Sequence, residues 1–324
     1  MTILECNAIV LAFAVGIDLL FGEPHNCLHP VAWMGSAIGW LRRSCPSGNW
    51  FACLSWGMGI TLIGVCVMFM LGIACEALLH WNLKEGAWVT SFMLSLLINA
   101  FVLKSCFGIR SLCKASESVD GALRVGNLEE ARRLLAYHLV SRDVDRLDES
   151  EISAAAIESV AENTSDSVIA PVLFYLVAGI PGALAYRYIN TCDAMLGYRK
   201  GNLEWLGKVP ARADDLVNLL PSRITAGLMM LSSLPEIGRV STGISVWWTD
   251  SGKTASPNAG HPMSVAAGLL GIRLGKAGHY VLGENLRAPC PRDISGMNRL
   301  FKRTVFLTGV FSSIAYVASA RLSQ

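Results

Sequence analysis

Six stretches of the chain alternate with polar segments and are apolar enough to be read against a bilayer, whose core asks for about 20 mainly apolar residues. They are Ile3–Phe21, Phe51–Leu79, Trp88–Leu103, Val168–Ile189, Leu216–Leu234 and Thr304–Ala320. The first carries Glu5 and Asp18, and the second is long enough to span with tilt. The fourth is interrupted by Ile180-Pro181-Gly182 and the fifth by Pro221 and Arg223. Proline cannot donate a helix hydrogen bond and glycine permits a turn, so Pro181-Gly182 is expected to bend the fourth run. Broken or re-entrant segments are tolerated where they line a polar cavity.

Two polar stretches stand out between these runs. Residues 108–157 are expected to form a helical cytosolic insertion. Leu128 to Leu139 is amphipathic and is opened by Asn127, with Glu130 three residues on. Asp148 and Glu151 repeat that spacing before an Ala-rich helix that enters the fourth run. Residues 235–303 form a long polar connection. The expected fold is an all-α polytopic transmembrane helix bundle, one integral membrane domain over 1–324 with broken or re-entrant segments.

Composition agrees. Of 324 residues, 52% are hydrophobic and only 16% charged, where a soluble domain is nearer a quarter charged. The net charge of +2 is too small to suggest a nucleic-acid partner. Ten scattered cysteines show no CxxC pair and read as small core residues. Arg42 and Arg43 follow the first run, and Lys104, Arg110 and Lys114 the third. The positive-inside rule puts both connections in the cytoplasm. The chain therefore reads as a multi-pass protein of the cell membrane whose partner is the lipid bilayer.

Candidate chemistry centres on ESVAENTSDSVIAPVLFYLVAGIPGALAYRYINTCDAMLGY, residues 158–198. Glu158, Glu162 and Asp166 fall four apart, so a helix puts them on one face with Asn163 beside them. Asn190 and Asp193 share a second polar face after the apolar run. Carboxylates near a bilayer must be paired, protonated or bound to a cation. Oxygen-only ligands suit Mg²⁺, and the alternative is a solvated helix face just outside the membrane. Three further segments carry polar groups. DLLFGEPHNCLHPVAWMG (18–35) holds Glu23 and His29 in a turn-rich loop. VPARADDLVNLLPSR (209–223) pairs Arg212 and Arg223 with Asp214 and Asp215, arginine being suited to phosphate or carboxylate. SPNAGHPM (256–263) offers Asn258 and His261 at the start of a small-residue helix, an anion cradle or an ordinary turn. No Walker A loop and no HExxH motif occur.

These segments, with LVSRD (139–143), resemble in type and order the CbiB/CobD membrane proteins of cobalamin biosynthesis, the adenosylcobinamide-phosphate synthases. The matches run from 18 to 271, and ESVAEN followed by NTxDxMxGY is the specific combination. The resemblance implies an ATP-dependent amide ligation of aminopropanol, free or as its O-phosphate, to a propionate carboxylate of adenosylcobyric acid. It implies ATP as co-substrate, Mg²⁺ beside it, and a site facing the cytoplasm, where the corrin and ATP are found. It points to Glu158, Glu162, Asp166 and Asp193 as metal or amine ligands supported by Asn163 and Asn190. Arg142, Arg187, Arg212 and Arg223 then face phosphate or corrin carboxylates. Expected partners are the two substrates, the bilayer and other corrinoid-pathway membrane enzymes. Two rivals stand beside this reading: a Mg²⁺-dependent prenyl-type transferase, which needs no ATP, and a non-enzymatic membrane sensor or scaffold.

Overall fold

A computed structural model describes residues 3–46, 49–84, 89–197 and 203–322. Trp88, at the head of the third expected run, and Tyr198, at the end of the central motif, lie outside the described residues. The helices in chain order are α1 (Ile3–Phe21), α2 (Pro30–Arg43), α3 (Trp50–Lys84), α4 (Val89–Lys104), α5 (Ile109–Arg124), α6 (Leu128–His138) and α7 (Glu149–Thr164). After a π-helical turn at Ser165–Ile169 come α8 (Ala170–Leu196), α9 (Leu203–Leu206), α10 (Lys208–Val217), α11 (Leu219–Ser232), α12 (Ile237–Asp250) and α13 (Gly260–Leu270). A short antiparallel hairpin, β1 (Leu274–Lys276) with β2 (Tyr280–Leu282), precedes α14 (Pro291–Leu322).

The protein is thus an all-α membrane protein with a trace of sheet. Among the described residues four helical stretches are long and apolar enough to cross a membrane: Trp50–Leu83, Val89–Arg124, Glu149–Leu196 and Pro291–Ser319. The first expected run forms α1 over the same residues. The fifth, Leu216–Leu234, is no span. It breaks at Asn218, ahead of Pro221, into α10 and a 14-residue α11. Fourteen residues reach ~21 Å at 1.5 Å each, short of a bilayer core of ~30 Å. Pro221 sits in the first turn of α11, where its missing N–H costs nothing.

The chain divides into two compact units. One comprises Met1–Ile109, Ala170–Val217 and Ser312–Gln324. In it α3 packs along α8. A Cβ on Gly72 would lie 2.4 Å from the Pro181 Cα, so only glycine lets these backbones approach so closely. The fourth run bends as expected, but at Ala178-Gly179 and not at Pro181-Gly182. Gly179 takes φ 64° and ψ −155°, a region open to glycine alone. Pro181 then opens the second half of α8, and the Glu76 carboxylate of α3 accepts from the Ile180 N–H at 2.8 Å.

The second unit comprises Arg110–Ile169 and Asn218–Phe311. Both expected helix starts are present. Asn127 Oδ1 accepts from the Glu130 N–H, and Asp148 with Glu151 forms a reciprocal capping box. The long connection 235–303 is largely folded, into α12, α13, the hairpin and the first turns of α14. Buried Ala154, Ala155 and Ala156 give α7 a thin face, and α13 and β1 pack against that helix.

Candidate functional site

The capping box fixes where α7 begins and therefore which way its face turns. Arg132 Nε and Nη2 both donate to the Leu147 carbonyl, holding the loop between α6 and α7. Ser159 Oγ donates to the Leu139 carbonyl at 2.8 Å, which seats residues 139–142 against α7. Arg142 is thereby carried to Glu158, with Nη2 3.7 Å from Oε2. The hairpin closes the other side, where Tyr280 faces Glu158 across the cavity lining. The result is a cavity of about 220 Å³ lined by Arg142, Glu158, Glu162, Asn163, Lys276 and Tyr280 among others.

Four expected residues, Arg142, Glu158, Glu162 and Asn163, thus meet in one place. Asn163 is fixed from both ends, donating to the Ser159 carbonyl and accepting from Ser167 Oγ, each at 2.9 Å. Only 7% of the Glu158 side chain is exposed, and its Oε1 is buried without a hydrogen-bond partner. A buried carboxylate oxygen with no donor is costly unless a cation or donor arrives. Burial and the neighbouring carboxylates of Glu158 and Glu162 push the Tyr280 phenol well above its usual range, so it stays a donor. Asp166 stands half-buried in the π-helical turn, outside the lining of this cavity. Such turns are frequent at functional sites.

Among the described residues no group of three or more His, Cys, Asp or Glu side chains is gathered to hold a metal ion. The protein therefore presents the Glu158–Glu162 pair and not a closed cage. That still fits Mg²⁺, which keeps several waters and takes one or two carboxylates beside substrate phosphates.

A second polar cluster in the same unit gathers Arg223, Asn258 and His261. Arg223 Nη1 donates to the Leu219 carbonyl at 2.6 Å and lies 3.5 Å from Asn258 Oδ1. Ser222 Oγ donates to the same oxygen at 3.4 Å. Trp247 Nε1 donates to His261 Nδ1 at 2.8 Å, which places the imidazole proton on Nε2. Burial, reinforced by the Arg223 charge, lowers the His261 pKa, so the ring is neutral at physiological pH.

The other unit holds the remaining candidates. Glu23 accepts from His29 Nε2 at 2.9 Å and also binds Lys104, whose side chain is fully buried. Lys104 Nζ lies 3.4 Å from Asp18 as well. His29 Nδ1 caps α2 through the Val31 N–H, and Pro30 follows as its first helical residue. On α8, Arg187 Nη1 donates to Asn190 Oδ1 and Asn190 Nδ2 to Asp214 Oδ1, each at 3.3 Å. Arg187 Nε is buried without a hydrogen-bond partner. Asp193 is half-buried near the end of α8. Arg212 pairs with Asp215 at 3.6 Å, with 75% of the arginine side chain exposed, a surface pair of small worth.

Sequence reasoning missed Lys276, Tyr280 and Glu76 as polar groups of interest, and read Lys104 only for orientation. A lysine closing an apolar helix and a carboxylate inside one were the available signals for Lys104 and Glu76. Nothing local marks Lys276 or Tyr280.

The chain matches the CobD/Cbib protein family over residues 11–301. It is 37% identical over 289 residues to a cobalamin biosynthesis protein CobD of Dehalococcoides mccartyi, covering 89% of this chain and 90% of that one. It is 40% identical over 282 residues to a probable cobalamin biosynthesis protein CobD of Methanothermobacter thermautotrophicus, covering 87% of each. The CobD of Geobacter metallireducens is 38% identical over 294 residues, 89% of this chain and 87% of that one. No solved structure matches.

Proposed function

The chain belongs to the CobD/Cbib family of cobalamin biosynthesis, and from that premise we propose that it is an amide-forming ligase. It joins the amino group of aminopropanol, free or as its O-phosphate, to a propionate carboxylate of adenosylcobyric acid and uses ATP. The site lies in the cell membrane protein's cytoplasm-facing part.

The observation that carries this reading is the buried Glu158 carboxylate, whose Oε1 has no partner, in a cavity also lined by Arg142, Lys276 and Glu162. The terminal phosphoryl group of ATP passes to the corrin carboxylate, giving an acyl phosphate and ADP. Arg142 and Lys276 offset the charge that builds on the transferred group and the acyl oxygens. An alkylammonium is not a nucleophile, so it first gives one proton to Glu158. The amine nitrogen then attacks the acyl carbon. The C–N bond forms, the C–O bond to phosphate breaks, and the second nitrogen proton leaves with phosphate. Tyr280, held protonated, stands beside Glu158 in the cavity wall. Glu162 would hold Mg²⁺ together with substrate phosphate oxygens and water. The ion would supply charge neutralisation at the phosphoryl group.

The test is direct. Purified protein in detergent, given adenosylcobyric acid, ATP, Mg²⁺ and aminopropanol phosphate, is expected to yield the amide by mass, with one ADP per product. Absence of the product with a folded protein rejects the ligase reading.

A further inference from the structure

The hairpin that closes the carboxylate cavity has a second face. Leu274 and Leu282, paired across β1 and β2, are fully buried and pin the hairpin to its unit. The turn Ala277-Gly278-His279 is closed by the His279 N–H on the Lys276 carbonyl at 2.9 Å, with Gly278 at φ 72°. Lys276 lies on the same strand face as Leu274, two residues on, and so reaches inward towards α7. Arg273, Lys276 and His279 are thus presented by a short, fixed frame.

They line a cavity of about 470 Å³ together with Ser150, Glu151 and Tyr280. Among the described residues Arg273 and Lys276 have no salt-bridge partner. Glu151 is the carboxylate of this lining, and its Oε2 is occupied by the Asp148 N–H at 2.9 Å in the capping box. The cavity therefore presents two cationic side chains and an imidazole, carried on a fixed backbone frame, against one engaged carboxylate. A planar guanidinium beside an ammonium is the combination that recognises phosphate oxygens, the first by a fork of donors and the second as a point charge. Lys276 and Tyr280 line both this cavity and the one holding Glu158 and Glu162.

We infer that this hairpin cavity is a phosphate-binding site, formed by Arg273, Lys276 and His279, for a phosphoanhydride or phosphate ester. Under the ligase reading, on which the choice of ligands rests, that group comes from ATP or from the phosphorylated amine. Its binding is tested apart from turnover.

Full-length protein in nanodiscs of uncharged phosphatidylcholine is titrated calorimetrically with tripolyphosphate, ATP and aminopropanol phosphate. Tripolyphosphate is expected to bind saturably, and Arg273→Ala with Lys276→Ala to weaken it tenfold or more. His279→Ala, at an exposed turn, is expected to weaken it less and to keep the fold, and Lys276→Arg to retain most of the affinity. Parallel loss of ATP affinity identifies the nucleotide as the source, and loss of the amine phosphate alone identifies the amine. Unchanged affinity for all three in the double variant, or in His279→Ala if the double variant fails to fold, overturns the site. Tripolyphosphate binding that the double variant loses, in a protein that makes no amide, would leave this site standing and reject the ligase. Amide formation by the parent protein, with affinity for all three ligands unchanged in the double variant, would do the reverse.

Discussion

Glu76 Oε1 accepts a hydrogen bond from the Ile180 N–H at 2.8 Å, joining α3 to the break in α8 across 104 residues of sequence. A helix restarting in apolar surroundings exposes N–H groups that water cannot reach, and each must find an acceptor. The carboxylate also suits the positive end of the helix it caps. Removing it by Glu76→Ala is expected to cost about 1–3 kcal/mol, the range for a buried donor left unpaired. Glu76→Gln keeps an acceptor and should recover much of that. Thermal melts in detergent read both, and equal melting of Glu76→Ala and the parent protein would reject the cap. Gly179→Ala should be worse, since it forces a side chain at positive φ where a Cβ would meet Glu76 Oε1 at 2.0 Å.

Lys104 is held between Asp18 and Glu23 with its side chain fully buried, and Asp18 is buried as well. Breaking such a group by removing one partner costs about 3–5 kcal/mol, because a charge is left without compensation. Lys104→Met is therefore expected to be strongly destabilising, and Lys104→Met with Asp18→Asn and Glu23→Gln much less so. Similar melting for the single and triple variants would show that the charges are not coupled.

Glu23 gives that cluster a pH signature. Burial alone would raise its pKa, but hydrogen bonds from His29 and Lys104, with the Lys104 charge, bring it from 4.5 down to about 2. A carboxylate whose folded pKa is depressed contributes stability above its unfolded pKa and loses it as pH falls through the folded one. The contribution should be complete above about pH 5 and fade between 4.5 and about 2. In Glu23→Gln, melting temperature should change less with pH across that acid limb. An identical acid limb in parent and variant would count against the pairing.

His261 behaves in the same sense, in a higher pH window. Burial, then the Arg223 charge, disfavours its cationic form and lowers its pKa below 6.5. The unfolded chain then binds the proton more readily, so the stability from the neutral ring is full above 6.5 and is lost as pH falls towards the folded pKa. Arg223→Gln should raise the His261 midpoint, read by NMR of labelled histidine. An unmoved midpoint would place Arg223 too far away to matter.

What the chain disclosed early was local. The caps at Asn127 and Asp148 depend on residues three apart and were legible, as was a break near Pro181. The break sits at Gly179 because the residue that must adopt positive φ is the glycine, while the proline fits the helix restart that follows. Arg142 with Glu158 and Arg223 with Asn258 came from separate motifs and were nominated without their geometry. Lys104 with Glu23, 81 residues apart, and Tyr280 with Glu158 depend on packing that brings distant segments together. No periodicity encodes such pairs. The hairpin was invisible because three-residue strands are too short to alternate recognisably.

The buried carboxylate of Glu158 is where the functional reading is most exposed to failure. If it takes the ammonium proton, Glu158→Gln keeps size and polarity but removes the base, and turnover should fall by about 10²–10⁴. The Michaelis constant for the amine should move little, because the loss falls on the chemical step. Glu162→Gln should instead raise the Mg²⁺ concentration needed for half-maximal rate. Arg142 Nη2 lies 3.7 Å from Glu158, so Arg142→Gln alone leaves that carboxylate without its nearest cation and should lower the melting temperature. Combining Arg142→Gln with Glu158→Gln should recover part of the melting temperature but none of the turnover. That split separates a structural ion pair, for which fold and activity would return together, from a base held in place by its arginine. Turnover of Glu158→Gln within threefold of the parent enzyme would reject the base outright and leave Glu158 as a packed partner of Arg142 and Tyr280.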